Sequence, residues 1–146
     1  MSGEIERDSL HQDIVEALIE VRDRAYAPYS NHPVGALVIS ESGTRHVGAN
    51  VEVAHYKGLC AEASAIAAMA SAGERELRVV YVIGPDKHLC TPCGDCRQRI
   101  REFASPETLI RVVDAEGRLL KCYTMEELLP DSFGPENLGR PPTLGD

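Results

Sequence analysis

No apolar run in this 146-residue chain approaches the roughly 20 residues that a membrane-crossing helix needs, so a bilayer span is not expected. Met1 to Leu10 mixes acids and bases without an apolar stretch before small residues, so it does not read as a signal peptide, and a cytosolic location is the expectation. Positive charge is scarce. Fifteen Lys and Arg against 23 Asp and Glu leave a net charge of -8, so the average surface repels phosphate backbones. A free small molecule is therefore the expected substrate, with neither a nucleic-acid polymer nor a membrane as partner. Internal repeats are absent, and so is an even cysteine count. Three of the five cysteines fall within Cys90–Cys96, which is poor material for paired disulfides and points to metal ligation or thiol chemistry.

Hydrophobic residues at 43% and charged residues at 26% lie near the averages of globular proteins, and one domain over residues 1–146 with one core is expected. Leu10, Ile14, Val15, Leu18, Val21 and Ala25 recur at three- and four-residue intervals, which predicts an amphipathic N-terminal helix over about 9–26. Pro28 and the stretch to Pro33 break it. Val34–Ile39 and Thr44–Ala49 flank the turn signal Glu41-Ser42-Gly43 and read as a β-hairpin. The Ala-rich segment Cys60–Ala72, stopping at Gly73, predicts a second helix. Strands are expected at Arg78–Ile83, Leu109–Val113 and Arg118–Cys122, with a helix over Cys96–Phe103 between the first two. Thr124-Met125-Glu126-Glu127 resembles a capping box opening a short helix, and the Pro- and Gly-rich tail, about 134–146, is expected to lack regular structure. This alternation suggests a layered α/β domain.

Cys60-Ala61-Glu62 and Pro92-Cys93-Gly94-Asp95-Cys96 each open a predicted helix, and together they supply three thiols and a carboxylate. Helix N-termini stabilise thiolates. Zinc favours such ligands, and three protein donors leave the fourth tetrahedral position for water, which a closed structural site cannot do. A C-x-x-C pair alone is more often a structural half-site or a redox pair. Cys90 and Cys93 form a second such pair, and Pro92 selects Cys93 with Cys96. A first ligand, one residue, a Glu, and later P-C-x-x-C is the arrangement of the zinc deaminases.

From Ala27 to Leu138 the chain resembles the small homotetrameric cytidine deaminases, through Ala27-Pro28-Tyr29-Ser30, Pro33-Val34-Gly35-Ala36, Asn50-Val51-Glu52, Cys60-Ala61-Glu62, Pro92-Cys93-Gly94 with Cys96-Arg97-Gln98, and Leu128-Leu129-Pro130 with Phe133-Gly134-Pro135. The resemblance implies a three-layer α/β/α sandwich around a mixed sheet of about five strands. It implies one Zn2+ per subunit, held by Cys60, Cys93 and Cys96, and hydrolysis of cytidine or deoxycytidine to the uridine product and ammonia in pyrimidine salvage. Glu62 would take a proton from the attacking water, protonate the ring nitrogen and help ammonia leave. Asn50 and Glu52 alternate along a predicted strand, an amide and a carboxylate on one face able to bind vicinal hydroxyls; in the family this pair grips the ribose. Ala61 and His32 fall at positions lining the substrate, and Tyr56 and Phe133 at positions contributed by neighbouring subunits. A homotetramer with composite sites is the implication.

The chain departs from the family at three places. His32 stands where Phe commonly precedes Pro-Val-Gly and packs against the pyrimidine, so a polar, titratable ring replaces an apolar one. Val53 replaces the usual Asn, and Ala63 the usual Arg after Cys-Ala-Glu. Three thiolates on one divalent ion leave a net negative site, and Arg97 is expected to carry more of the compensation. A modified cytidine or another amino-heterocycle, as in the related blasticidin S deaminases, is the alternative substrate, while Asn50 and Glu52 favour a nucleoside. A non-catalytic zinc module would require a fourth protein ligand, with His55, His88 or Cys90 as candidates. A thiol redox protein would require Cys93 and Cys96 to cycle to a disulfide. Cys90 and Cys122 read as small apolar side chains on or beside strands and are assigned no role.

Overall fold

The structure, a computed structural model, describes residues 11–140. Helix α1, Gln12–Asp23, buries Ile14, Val15, Leu18 and Val21 along one face, as the three- and four-residue spacing requires. The remainder of the helix expected over 9–26 lies partly outside the described residues; at its other end Arg24 takes a non-helical conformation. Arg22 ties that end down, donating from Nη1 to the carbonyls of Gly84 and Ala115 at 3.0 and 2.9 Å.

Strands β1, Gly35–Ser40, and β2, Arg45–Ala49, form the expected hairpin. Its turn is closed by Gly43 N–H donating to Ser40 O at 2.9 Å, with Gly43 at φ 93°, where a side chain would be strained. After helix α2, Ala61–Ser71, the chain enters β3, Leu77–Ile83, then helix α3, Gly94–Phe103, and β4, Leu109–Val113. Strand β5, Leu119–Thr124, ends at the one-turn helix α4, Met125–Leu128. Thr124 and Glu127 make the reciprocal capping bonds expected from their spacing.

The sheet runs β2-β1-β3-β4-β5, with β3–β4 parallel and the other pairs antiparallel. The parallel step needs a crossover, and α3 supplies it. Alternate residues of the central strands feed two cores. Leu37, Ile39, Val79, Tyr81 and Ile83 pack with Ile14 and Leu18 of α1. Ala36, Val38, Val80, Val82 and Ile110 pack with Ala65, Ile66 and Met69 of α2 and Ile100 of α3. The result is the expected α/β/α sandwich on a mixed five-stranded sheet. Helix α2 lies unusually close to the edge strand, because Gly48 has no side chain: a Cβ there would sit 2.4 Å from the backbone nitrogen of Ala65.

The tail departs from expectation. Pro135–Leu138 is a 3-10 helix, with the Asn137 side-chain oxygen accepting from Gly134 N–H at 2.8 Å and Pro at its first position. Residues 141–146 lie outside the described region. Among the described residues no helix is long and apolar enough to cross a membrane.

Candidate active site

Two helix N-termini meet beside the core that α2 and α3 share with the sheet. Cys60 caps α2 and Cys93 caps α3, while Cys96 lies in the first turn of α3. Their sulfurs lie within 4.8 Å of one another, and the Cys60–Cys93 separation is 3.9 Å. Four donors around zinc at about 2.3 Å place neighbouring sulfurs about 3.8 Å apart, so the group fits a tetrahedral ion. Among the described residues no fourth His, Cys, Asp or Glu joins it. His55, His88 and Cys90 stay outside, so the fourth ligand that a closed structural centre requires is not supplied from these side chains.

Glu62, in the first turn of α2, is 5% exposed, and its Oε1 accepts from the Cys96 thiol at 3.6 Å. Burial pushes its carboxyl above the ordinary range, partly offset by its own N–H and the Cys96 thiol. Burial likewise raises Cys60, partly offset by a hydrogen bond with Cys96 and reinforced by the charges of Cys93 and Glu62, and it raises Cys96, with Glu62 and Cys60 as the next causes. Three thiols and a carboxylate this close repel as anions; a divalent cation reverses that sign and holds the thiols as thiolates.

Ala61 is fully buried at the first position of α2. Arg97 directs its hydrogen bonds to backbone carbonyls: Nε donates to Pro92 O at 2.8 Å and Nη1 to Leu128 O at 3.0 Å. It is a fixed cation beside Cys96 that also anchors the ligand loop.

Asn50 and Glu52 require a correction. They do not alternate along a strand, because β2 ends at Ala49 and Val51 forms only isolated bridges to Tyr26 and Leu59. The chain leaves the sheet, and both side chains turn to the loop at 29–34. Asn50 Oδ1 accepts from Val34 N–H at 2.9 Å, and its Nδ2 donates to His32 O at 3.0 Å. Glu52 accepts the N–H groups of Tyr29 and Ser30, each at 3.0 Å, and the Ser30 hydroxyl. Those donors, the Ser30 hydroxyl foremost, hold its carboxyl below the usual range. Glu52 also borders a cleft of about 370 Å³ lined by Tyr29, Ser30, Val53, Tyr56 and Gly58.

Tyr56 is 83% exposed, sits at φ 64°, and meets the Tyr29 ring edge-on with centroids 6.0 Å apart. Phe133 is 58% exposed, its carbonyl accepting from Gln98 Nε2 at 2.8 Å. Neither belongs to the thiol group of its own chain. The exposed His32 brings Nε2 to 3.8 Å from the Cys90 sulfur. Cys90 was left without a role by the sequence; the only available signal was its place three residues before Cys93.

An α/β/α sandwich whose helix N-termini present three thiols and a buried carboxylate, with no fourth protein donor among the described residues, defines a zinc-dependent hydrolytic centre. The family model described as the cytidine and deoxycytidylate deaminase zinc-binding region matches residues 8–112. The cytidine deaminase of Sporosarcina psychrophila is 36% identical over 129 residues, spanning 85% of this chain and 94% of that protein. That of Halalkalibacterium halodurans is 35% identical over 129 residues, spanning 87% and 96%. The crystal structure of cytidine deaminase from Burkholderia pseudomallei aligns with a TM-score of 0.78 and 34% identity, over 86% of this chain and all of that one. The chain belongs to the cytidine and deoxycytidylate deaminase family.

Proposed function

We propose that the chain hydrolyses cytidine, deoxycytidine or both to the uridine product and ammonia, with Cys60, Cys93 and Cys96 holding one zinc ion and Glu62 moving the protons. The observation carrying this is the open three-thiol group with a buried carboxylate beside it. Bound there, zinc supplies Lewis acidity that makes water a nucleophile at neutral pH. Glu62 accepts the proton that the attacking water loses and delivers it to the ring nitrogen, and a second transfer lets the amino group leave as ammonia. A carboxyl whose affinity for protons is raised by burial suits both giving and taking. The backbone bonds of Arg97 keep Cys93 and Cys96 in register with α4.

The ribose belongs beside Glu52, whose ionised carboxylate faces a cleft of nucleoside-compatible size. Asn50 acts there by shaping the 32–34 loop. Ala61 and His32 border the base. Tyr56 and Phe133 are exposed aromatics without a partner core, as expected of side chains shared between subunits of a homotetramer. The chain acts as one domain, in the cytoplasm, in pyrimidine salvage.

The test is loss of cytidine and deoxycytidine absorbance with zinc-replete protein, beside Glu62→Gln with its zinc counted. Turnover in the wild type, reduced at least about a hundredfold in a variant still holding zinc, is the expected result. Zinc-replete wild type inactive on both nucleosides refutes the proposal.

A further inference from the structure

The reaction as described makes no use of Cys90, yet the fold goes to some length to bring His32 to it. Cys90 is half-buried, packs against the core beneath α2 and α3, and lies 3.8 Å from His32 Nε2 across 58 residues of chain. The backbone of His32 is held on both sides: its N–H donates to Ser30 Oγ at 3.1 Å, and its carbonyl accepts from Asn50 Nδ2 at 3.0 Å. Ser30 is itself fixed by Glu52. Only the ring remains to be oriented.

A thiol is a weak donor and a poorer acceptor, whereas the unprotonated nitrogen of a neutral imidazole accepts well. Burial first, then the negative charges of Glu62 and Asp86, push the Cys90 thiol up to about 11, so it keeps its proton at neutral pH. Cys90 lies on the segment between β3 and α3, three residues before Cys93. With Nε2 accepting from sulfur, a neutral ring must carry its own proton on Nδ1.

We propose that the Cys90 thiol donates to His32 Nε2 and fixes the Nδ1–H tautomer, making His32 a hydrogen-bond donor to an acceptor atom of the nucleoside, with Cys90 as its positioning residue. The nucleoside in this statement rests on the function proposed above; the tautomer does not.

The experiment is ring-nitrogen NMR of zinc-loaded protein labelled with 15N-histidine, read at the alkaline plateau where the ring-nitrogen shifts no longer change with pH. His32 is identified among the five histidines by its loss in His32→Phe. Wild type should show a protonated Nδ1 and a bare Nε2, Cys90→Ala a mixture of tautomers, and Cys90→Ser the wild-type pattern. For cytidine, Cys90→Ala should raise KM about fivefold, the size of one neutral hydrogen bond, with kcat within about twofold, and Cys90→Ser should restore KM. A protonated Nε2 in the wild type, an unchanged tautomer in Cys90→Ala, or an unchanged KM overturns the proposal. Inactive wild type that still shows the Cys90-dependent tautomer would refute the function and leave the tautomer device standing.

Discussion

Replacing Gly48 by Ala tests whether the thiol group depends on how closely α2 sits on the sheet. The added Cβ would lie 2.4 Å from the Ala65 nitrogen and 2.8 Å from both the carbonyl carbon and Cβ of Ser64. Ordinary contact begins at 3.4 Å, so helix and strand must separate by about 1 Å. The strand is held by its five-residue pairing with β1 and, two residues on, by the bonds of Asn50 to His32 and Val34. The helix therefore yields, carrying Cys60 and Glu62 with it, while Cys93 and Cys96 stay with α3. Zinc tolerates ligand displacements of only about 0.2 Å, so a large fraction of 1 Å at Cys60 is ruinous to its geometry. Overpacking of this kind costs about 1–3 kcal/mol, or roughly 3–10 °C in Tm for a chain of this size. Zinc affinity should fall about 10- to 100-fold. Thermal unfolding and chelator competition measure the two effects separately. A variant that melts lower but holds zinc as tightly as wild type would show that the strand gives way instead, and would refute the coupling.

Asp114 is nearly buried; burial alone would raise its carboxyl, but the N–H groups of Arg118 and Glu116 and the Arg118 guanidinium hold it below the ordinary range. A native pKa below the unfolded one stabilises above the unfolded value and is lost as pH falls through the native one, so urea stability should drop below about pH 4, less so in Asp114→Asn. Thr124→Ala removes a capping box, and should cost about 1 kcal/mol by chemical denaturation. Arg101 donates from Nε to Ser132 Oγ at 2.8 Å, pairs with Glu136 at 2.9 Å, and lies against Gly134, so Arg101→Met should free the tail. Limited proteolysis should then cut near 130–138 several-fold faster, at a cost of about 1–3 kcal/mol in stability.

What the sequence made legible was local. The hairpin, the Ala-rich helix, the individual strands and the capping box each announce themselves within a dozen residues, through period, turn chemistry or a short motif. The meeting of Cys60 with Cys93, 33 residues on, and with Cys96 was legible through the zinc-deaminase pattern of two short motifs, each opening a helix. Asn50 and Glu52 were misplaced because alternation cannot reveal that Val51 bridges to Tyr26 and Leu59, pulling the chain off the sheet edge. The pairing of Cys90 with His32 was hidden by 58 intervening residues and by the ordinariness of a half-buried cysteine. The 3-10 turn in the tail depends on bonds within it and on its anchorage to α3, neither of which composition expresses.

The thiols of α2 and α3 are 33 residues apart in the chain, and the segment between them contains β3, the strand that pairs with both β1 and β4. An ion gripping both ends is therefore a crosslink around the middle of the sheet. Closing a loop of that length removes chain entropy worth about 3–4 kcal/mol from the unfolded ensemble, if a metal crosslink behaves as a disulfide does. Zinc loading should therefore raise the unfolding midpoint of the chain as well as complete its site, and chelation should lower it.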